Sequence, residues 1–188
     1  MNLLSDPLIV YPSSIGLGLL LCGAAMHKLR DLTHFGTILR GYQMFPLRSI
    51  AFLVLLVPAL EMLTGVALFV PVATQLAAMV ATTLLLGYGV LLAVSLSRGT
   101  QIEDCGCSFG GAKNQTGPQN TTPLSRALIW RNLVLVLLGL NLEQGMTQRV
   151  LGAFDFAAIV FFTLIGAAMY SLANTLIRTQ QSTRDFVS

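Results

Sequence analysis

The sequence predicts an all-α integral membrane protein, a bundle of about five transmembrane helices (four to five) with one polar Cys-x-Cys loop. Two observations carry this. First, 54% of the residues are hydrophobic and only 10% are charged, whereas soluble domains carry about a quarter charged residues. Second, the apolar residues fall in runs close to the ~20 residues that cross a bilayer core. These runs use up nearly all of the chain, so one polytopic membrane domain over residues 1–188 is expected, with no separate soluble domain. The net charge of +3 is small. The basic residues gather at the ends of the apolar runs, which speaks for membrane orientation and against nucleic-acid binding.

The first span is expected at 8–26. No Lys or Arg precedes it, so it lacks the basic n-region of a cleaved signal peptide and reads as a retained helix. It ends in His27-Lys28-Leu29-Arg30, a cationic boundary. Between 31 and 48, Phe35, Ile38, Leu39 and Tyr42 recur at helical spacing beside Arg40 and Arg48. An interfacial amphipathic helix fits this pattern, and a plain connector is the alternative.

Residues 49–96 are apolar almost without pause, long enough for two spans, and Pro71 marks the turn between them. The spans are expected at 49–70 and 73–96. A polar loop, 98–123, follows. The fourth span, 124–142, is unusual in carrying Arg126 and Arg131, and the fifth, 156–177, is free of charge until its end. With five spans, one face carries Lys28, Arg30, Arg40, Arg48, Arg98, Lys113, Arg126, Arg178 and Arg184, and the other carries Arg149 alone. The positive-inside bias then predicts a bacterial cytoplasmic (inner) membrane protein with its N-terminus outside and its C-terminus and Cys-x-Cys loop cytoplasmic.

The three cysteines are Cys22, Cys105 and Cys107. An odd number with one tight pair is not a structural disulfide framework. Three readings stay open for Cys105-Gly106-Cys107. A disulfide across one residue is strained and therefore labile, which suits thiol–disulfide exchange. The pair also suits a metal site completed by His27 or His34, though its spacing is tighter than a zinc knuckle. Inert thiols are the third reading. Cys22, near the end of the first span, is either a resolving thiol for the pair or a small hydrophobe.

Glu61 falls near the middle of the second span. A carboxylate there is costly unless paired, protonated or hydrated, which makes it a functional candidate. Arg131 is the basic residue lying well inside another span and is the expected partner. The alternative is a pair that only fixes helix packing. Tyr88 and Tyr170 are placed to hydrogen-bond a quinone or substrate, with ordinary packing as the other reading. No cofactor or resident metal is assigned.

The ordered landmarks are familiar. They are Gly23 and Lys28-Leu29-Arg30-Asp31, then Phe35, Leu39, Tyr42 and Pro46, then Pro58, Glu61 and Gly65. Tyr88, Arg98-Gly99, Asp104-Cys105-Gly106-Cys107 and Arg131-Asn132 complete the set. Over roughly residues 20 to 140 the chain resembles the MauE family of membrane proteins, relatives of the DoxX-like proteins. Ser108 departs from the pattern by separating Cys107 from Phe109-Gly110. The resemblance implies a role in processing, transport or disulfide formation of the methylamine dehydrogenase small (beta) subunit, with a thioredoxin-like MauD-type partner. It implies a thiol–disulfide relay as the activity, with a membrane scaffold or a DoxX-like quinone-linked subunit as alternatives. The client matures in the periplasm, whereas the charge bias places the thiols on the cytoplasmic side. A relay across the membrane reconciles the two.

Overall fold

A computed structural model describes residues 6–42, 44, 46–97, 126–145 and 152–185. Every regular element among them is helical: α1 (Pro7–Arg30), α2 (Leu32–Gly41), α3 (Leu47–Ala67), α4 (Thr74–Ser97), α5 (Arg126–Glu143) and α6 (Ala153–Asp185). The chain is thus an all-α integral membrane protein.

Asp6 starts α1, its carboxylate accepting from the Leu8 N–H at 2.9 Å, with Pro7 at the first helical position where no N–H is needed. The helix runs on through the cationic boundary to Arg30, past the expected end at 26, because nothing in His27-Lys28-Leu29-Arg30 breaks it. Asp31 stops α1 and caps α2, accepting from the His34 N–H (2.9 Å) and the Thr33 hydroxyl (2.7 Å). α2 is the amphipathic helix that the spacing suggests. Phe35, Ile38, Leu39 and the following Tyr42 are buried, while His34, Thr37 and Arg40 face out. Its apolar side lies on the first half of α3, where Phe35, Leu39 and Ile50 form one cluster.

α3 continues through Pro58 to Ala67, and residues 68–73, including Pro71, make the turn into α4. Four helical stretches are long and apolar enough to cross a membrane: Pro7–Arg30, Leu47–Ala67, Thr74–Ser95 and Ala153–Ala173. α5 carries Arg126, Arg131 and Glu143 and is less apolar. It nevertheless lies along α4 as an antiparallel partner. Gln75 Nε2 donates to the Glu143 carbonyl at one end (3.0 Å), and Asn132 Nδ2 donates to the Leu85 carbonyl further along (2.7 Å).

The α1–α3 pair is antiparallel too. Ser14 Oγ donates to the Leu68 carbonyl (2.5 Å), and Gly18 lies against Gly65. The largest apolar cluster joins Val10, Leu17, Leu20 and Leu21 of α1 with Ala77, Ala78, Ala81 and Leu85 of α4 and Leu135 and Val136 of α5. α6 packs on α1 and buries little of its apolar surface. It also runs past 177, the expected end, to Asp185, since no Gly or Pro follows Gly166 to stop it.

Candidate functional site

Where α1, α3 and α4 meet, a polar cluster is buried but for part of Tyr88. Lys28 is 2% exposed and Glu61 0%. Lys28 Nζ donates to Glu61 Oε1 at 2.5 Å and to the Tyr88 hydroxyl at 3.1 Å. Tyr88 in turn donates to the same Glu61 oxygen at 2.5 Å. The ammonium also lies over two aromatic faces, 4.6 Å from the Tyr88 ring centroid and 5.2 Å from that of Phe35. Each face attracts a cation through its quadrupole.

Helix geometry explains how Lys28 arrives there. Gly18 and Gly65 are opposite one another. Lys28 lies ten residues beyond Gly18 and Glu61 four before Gly65, so their backbones are offset by about 9 Å along the pair. Side chains on a helix tilt toward its N-terminus. For a lysine in the last turn of α1, that tilt aims the ammonium back into the bundle, and the two stems cover the offset. Lys28 also falls on the buried stripe Leu17, Leu21, Ala24, at the i, i+4, i+7, i+11 spacing of one helix face.

The expected partner of Glu61 is therefore corrected: the cation bonded to it is Lys28, not Arg131. The sequence reading placed Lys28 at a water-facing boundary and matched Glu61 to Arg131 on depth alone. Arg131 is close by, on the wall of a cavity that also takes in Glu61, Tyr88, Asn132 and Tyr170, with Ala24 and several leucines. The cavity volume is about 10 Å³, room for about one water molecule, so a quinone ring has no seat in it. Glu61 Oε2 has no hydrogen-bond partner among the described residues.

Other candidates fall elsewhere. Cys22 is half-buried in the α1–α3 seam, its sulfur packed against Gly65. Cys105, Cys107 and the rest of the 98–123 loop lie outside the described residues. No group of three His, Cys, Asp or Glu side chains suited to a metal ion occurs among the described residues. His34 is exposed and His27 intermediate. The exposed Asp31 carboxyl is held below its ordinary range, first by the His34 N–H and then by the Thr33 hydroxyl.

Chemically, the cluster is a clamp. The carboxylate fixes one end of a buried ammonium, the tyrosine hydroxyl accepts from the cation and donates to the anion, and two aromatic rings shield the remainder. Sequence reasoning found Glu61 and Tyr88 but missed Lys28 and Phe35. The available signal was the register of Lys28 with Leu17, Leu21 and Ala24.

The landmark residues Lys28, Glu61, Tyr88, Arg131 and Asn132, far apart in sequence, thus converge on one cluster and its cavity. Comparison with known proteins points the same way. The family model described as methylamine utilisation protein MauE matches residues 6–142. A methylamine utilization protein MauE of Paracoccus denitrificans is 32% identical over 149 residues, covering 79% of this chain and 76% of the relative. Proteins of the same name from Methylophilus methylotrophus and Methylorubrum extorquens are 34% identical over 106 residues (56% of each chain) and 29% over 188 (96% and 97%). No solved structure matches. The chain belongs to the MauE family.

Proposed function

We propose that this chain is an accessory membrane protein of methylamine utilisation. It acts in maturation of the methylamine dehydrogenase small (beta) subunit, through thiol–disulfide exchange between Cys105–Cys107 and a thioredoxin-like partner. The family match over most of the chain carries the first part. The helix directions support the second. Because α4 and α5 are antiparallel, the chain leaves α4 at Ser97 and rejoins α5 at Arg126 on the same end of the bundle, the end to which α2 belongs. The exchange is proposed to take place at this end of the bundle.

In the exchange, a thiolate of one protein attacks the disulfide of the other. A mixed disulfide forms, and the second thiol of the attacking pair then displaces it. One disulfide is made and one is lost in each exchange, and net disulfide formation in the subunit draws on a further disulfide-bonded partner that reoxidises the pair. The Lys28–Glu61–Tyr88 clamp serves this as a rigid base, fixing α1 and α4 to α3. The basic residues of this end mark it as cytoplasmic in a bacterial inner membrane, with the N-terminus on the other side.

The deciding experiment replaces Cys105 and Cys107 by Ser in cells growing on methylamine and measures disulfide-complete beta subunit. A relay loses nearly all of it. A scaffold or transport factor keeps most of it, and that result sinks the exchange mechanism. Labelling the two thiols in intact cells with a membrane-impermeant reagent, before and after reduction, tests the side.

A further inference from the structure

The end of α2 and the start of α3 form a cationic corner that the clamp does not use. α2 runs antiparallel along the first half of α3: Leu39 clusters with Ile50, and a Cβ on Gly36 would lie 3.4 Å from Val54 Cγ2. Arg40, next to Leu39, therefore stands level with Arg48 in the first turn of α3. Both arginines are exposed, and neither side chain has an ion pair or hydrogen bond among the described residues. No acidic residue occurs between Asp31 and Glu61. Asp31 lies at the far end of α2, bonded to Thr33 and His34, and Glu61 is closed against Lys28. Nothing on α2 or the start of α3 neutralises the two charges.

Apolar surface adjoins them. Leu47 is 76% exposed and Phe52 64%. Arg48, Phe52, Leu55, Ala59, Leu63 and Val66 are all exposed, at the spacing of one helix face. Arg48 thus heads the apolar stripe that α3 turns to the bilayer. It stands about 6 Å of helical rise above Phe52, and the headgroup layer on each side of a bilayer is about 5–8 Å thick. With Phe52 at the edge of the hydrocarbon, both arginines meet the phosphate layer.

We infer that this corner is a docking surface for anionic phospholipid: Arg40 and Arg48 bind headgroup phosphates, and Leu47 and Phe52 take the start of the acyl chains. The joining of charge to apolar surface selects the occupant. A free anion leaves Leu47 and Phe52 uncovered, and so does a nucleic acid. A zwitterionic lipid covers them, but its own ammonium offsets its phosphate. An anionic lipid meets both needs, and a guanidinium matches phosphate oxygens with two parallel donors. The inference needs only the bilayer and is independent of the thiol chemistry.

The test uses full-length protein in detergent, titrated with phosphatidylglycerol or with phosphatidylcholine of the same acyl chains, and counts bound lipid by native mass spectrometry. A basic residue near an anionic surface is worth roughly fivefold in binding. Arg40→Gln and Arg48→Gln should each lower the preference for phosphatidylglycerol by about that factor, and the two together by roughly 30-fold, with phosphatidylcholine binding unchanged. Arg40→Lys/Arg48→Lys should keep most of the preference. A wild type that binds both lipids equally, or a double Gln variant that retains the wild-type preference, overturns the inference. Glycerol phosphate and inorganic phosphate, each at the concentration of the lipid, should not displace phosphatidylglycerol. Displacement by either marks a site for small anions and also overturns it. Gel filtration and circular dichroism check that the variants fold, and should the double variant fail, the two single variants decide.

Discussion

The α1–α3 and α4–α5 pairs are both antiparallel, and each brings a glycine against its neighbour, yet they are held by different chemistry. In the first, a buried ion pair crosses between the helices, Lys28 to Glu61, and Gly65 meets the backbone of α1. In the second the bonds are neutral: Asn132 to the Leu85 carbonyl and Gln75 to that of Glu143, with Gly139 against the Thr82 side chain. Without a hydrophobic driving force between helices in lipid, close packing and interhelical hydrogen bonds do the joining. A neutral bond contributes modestly and is lost modestly. An ion pair, once formed out of water, is expensive to half-remove. The first seam should fail abruptly and the second gradually.

The largest expected effect breaks the ion pair from one side. Lys28→Met leaves the Glu61 carboxylate buried in α3 and should cost about 3–5 kcal/mol in reversible unfolding in detergent. Glu61→Gln should cost less, because Lys28 stands in the last turn of α1 and can swing toward the interface. The reverse order would show that Arg131 turns to Glu61 when Lys28 is gone.

Next come the glycines. A Cβ on Gly65 would lie 2.7 Å from Cys22 Sγ and 3.0 Å from both the Cys22 N and the Gly18 carbonyl oxygen. Backbone cannot yield, so Gly65→Ala should cost about 1–3 kcal/mol. A Cβ on Gly139 meets chiefly the Thr82 hydroxyl, with the nearest backbone atom 3.6 Å away, so relief costs at most the Thr82 bond to the Ala78 carbonyl, and Gly139→Ala should cost less in the same unfolding assay. Equal costs would erase the distinction between the seams.

Asn132→Ala removes one neutral interhelical bond. About 0.6 kcal/mol is the average measured for such bonds in a membrane bundle, so a loss near that value is expected, and a loss as large as that of Lys28→Met would refute the contrast.

The smallest effect belongs to the solvent-exposed Asp31 at the junction of α1 and α2. Its carboxyl is depressed by the His34 N–H and the Thr33 hydroxyl. A depressed carboxyl stabilises the fold fully above its unfolded value of about 3.9. That contribution fades as pH falls through the lower, folded value. Amide exchange at the start of α2 should quicken over that acid range, and Asp31→Asn should flatten the dependence while keeping a cap.

Much of the architecture was legible because bilayer length and helical spacing leave strong marks. Phe35, Ile38, Leu39 and Tyr42 announce α2 by period alone, and Pro71 announces the turn into α4. Glu61 was legible as an acid out of place. Its partner was not, because a lysine at a helix end ordinarily reaches for water, and only the tilt of the side chain and the register with Leu17 and Leu21 turn it inward. Nor does sequence show that Gly65 serves a contact with Cys22, since a small residue leaves no mark of what lies opposite. The length of α6 was underestimated because the decline in hydropathy near 177 marks where apolar character ends, not where the helix does.

That overshoot has a consequence of its own. The stretch Ala153–Ala173 is long and apolar enough to cross a bilayer, and the helix continues to Asp185, about 18 Å of further rise. Asp185 therefore stands on a helical stalk beyond the apolar stretch. A fluorophore attached there would report distance from the membrane plane like a mark on a ruler.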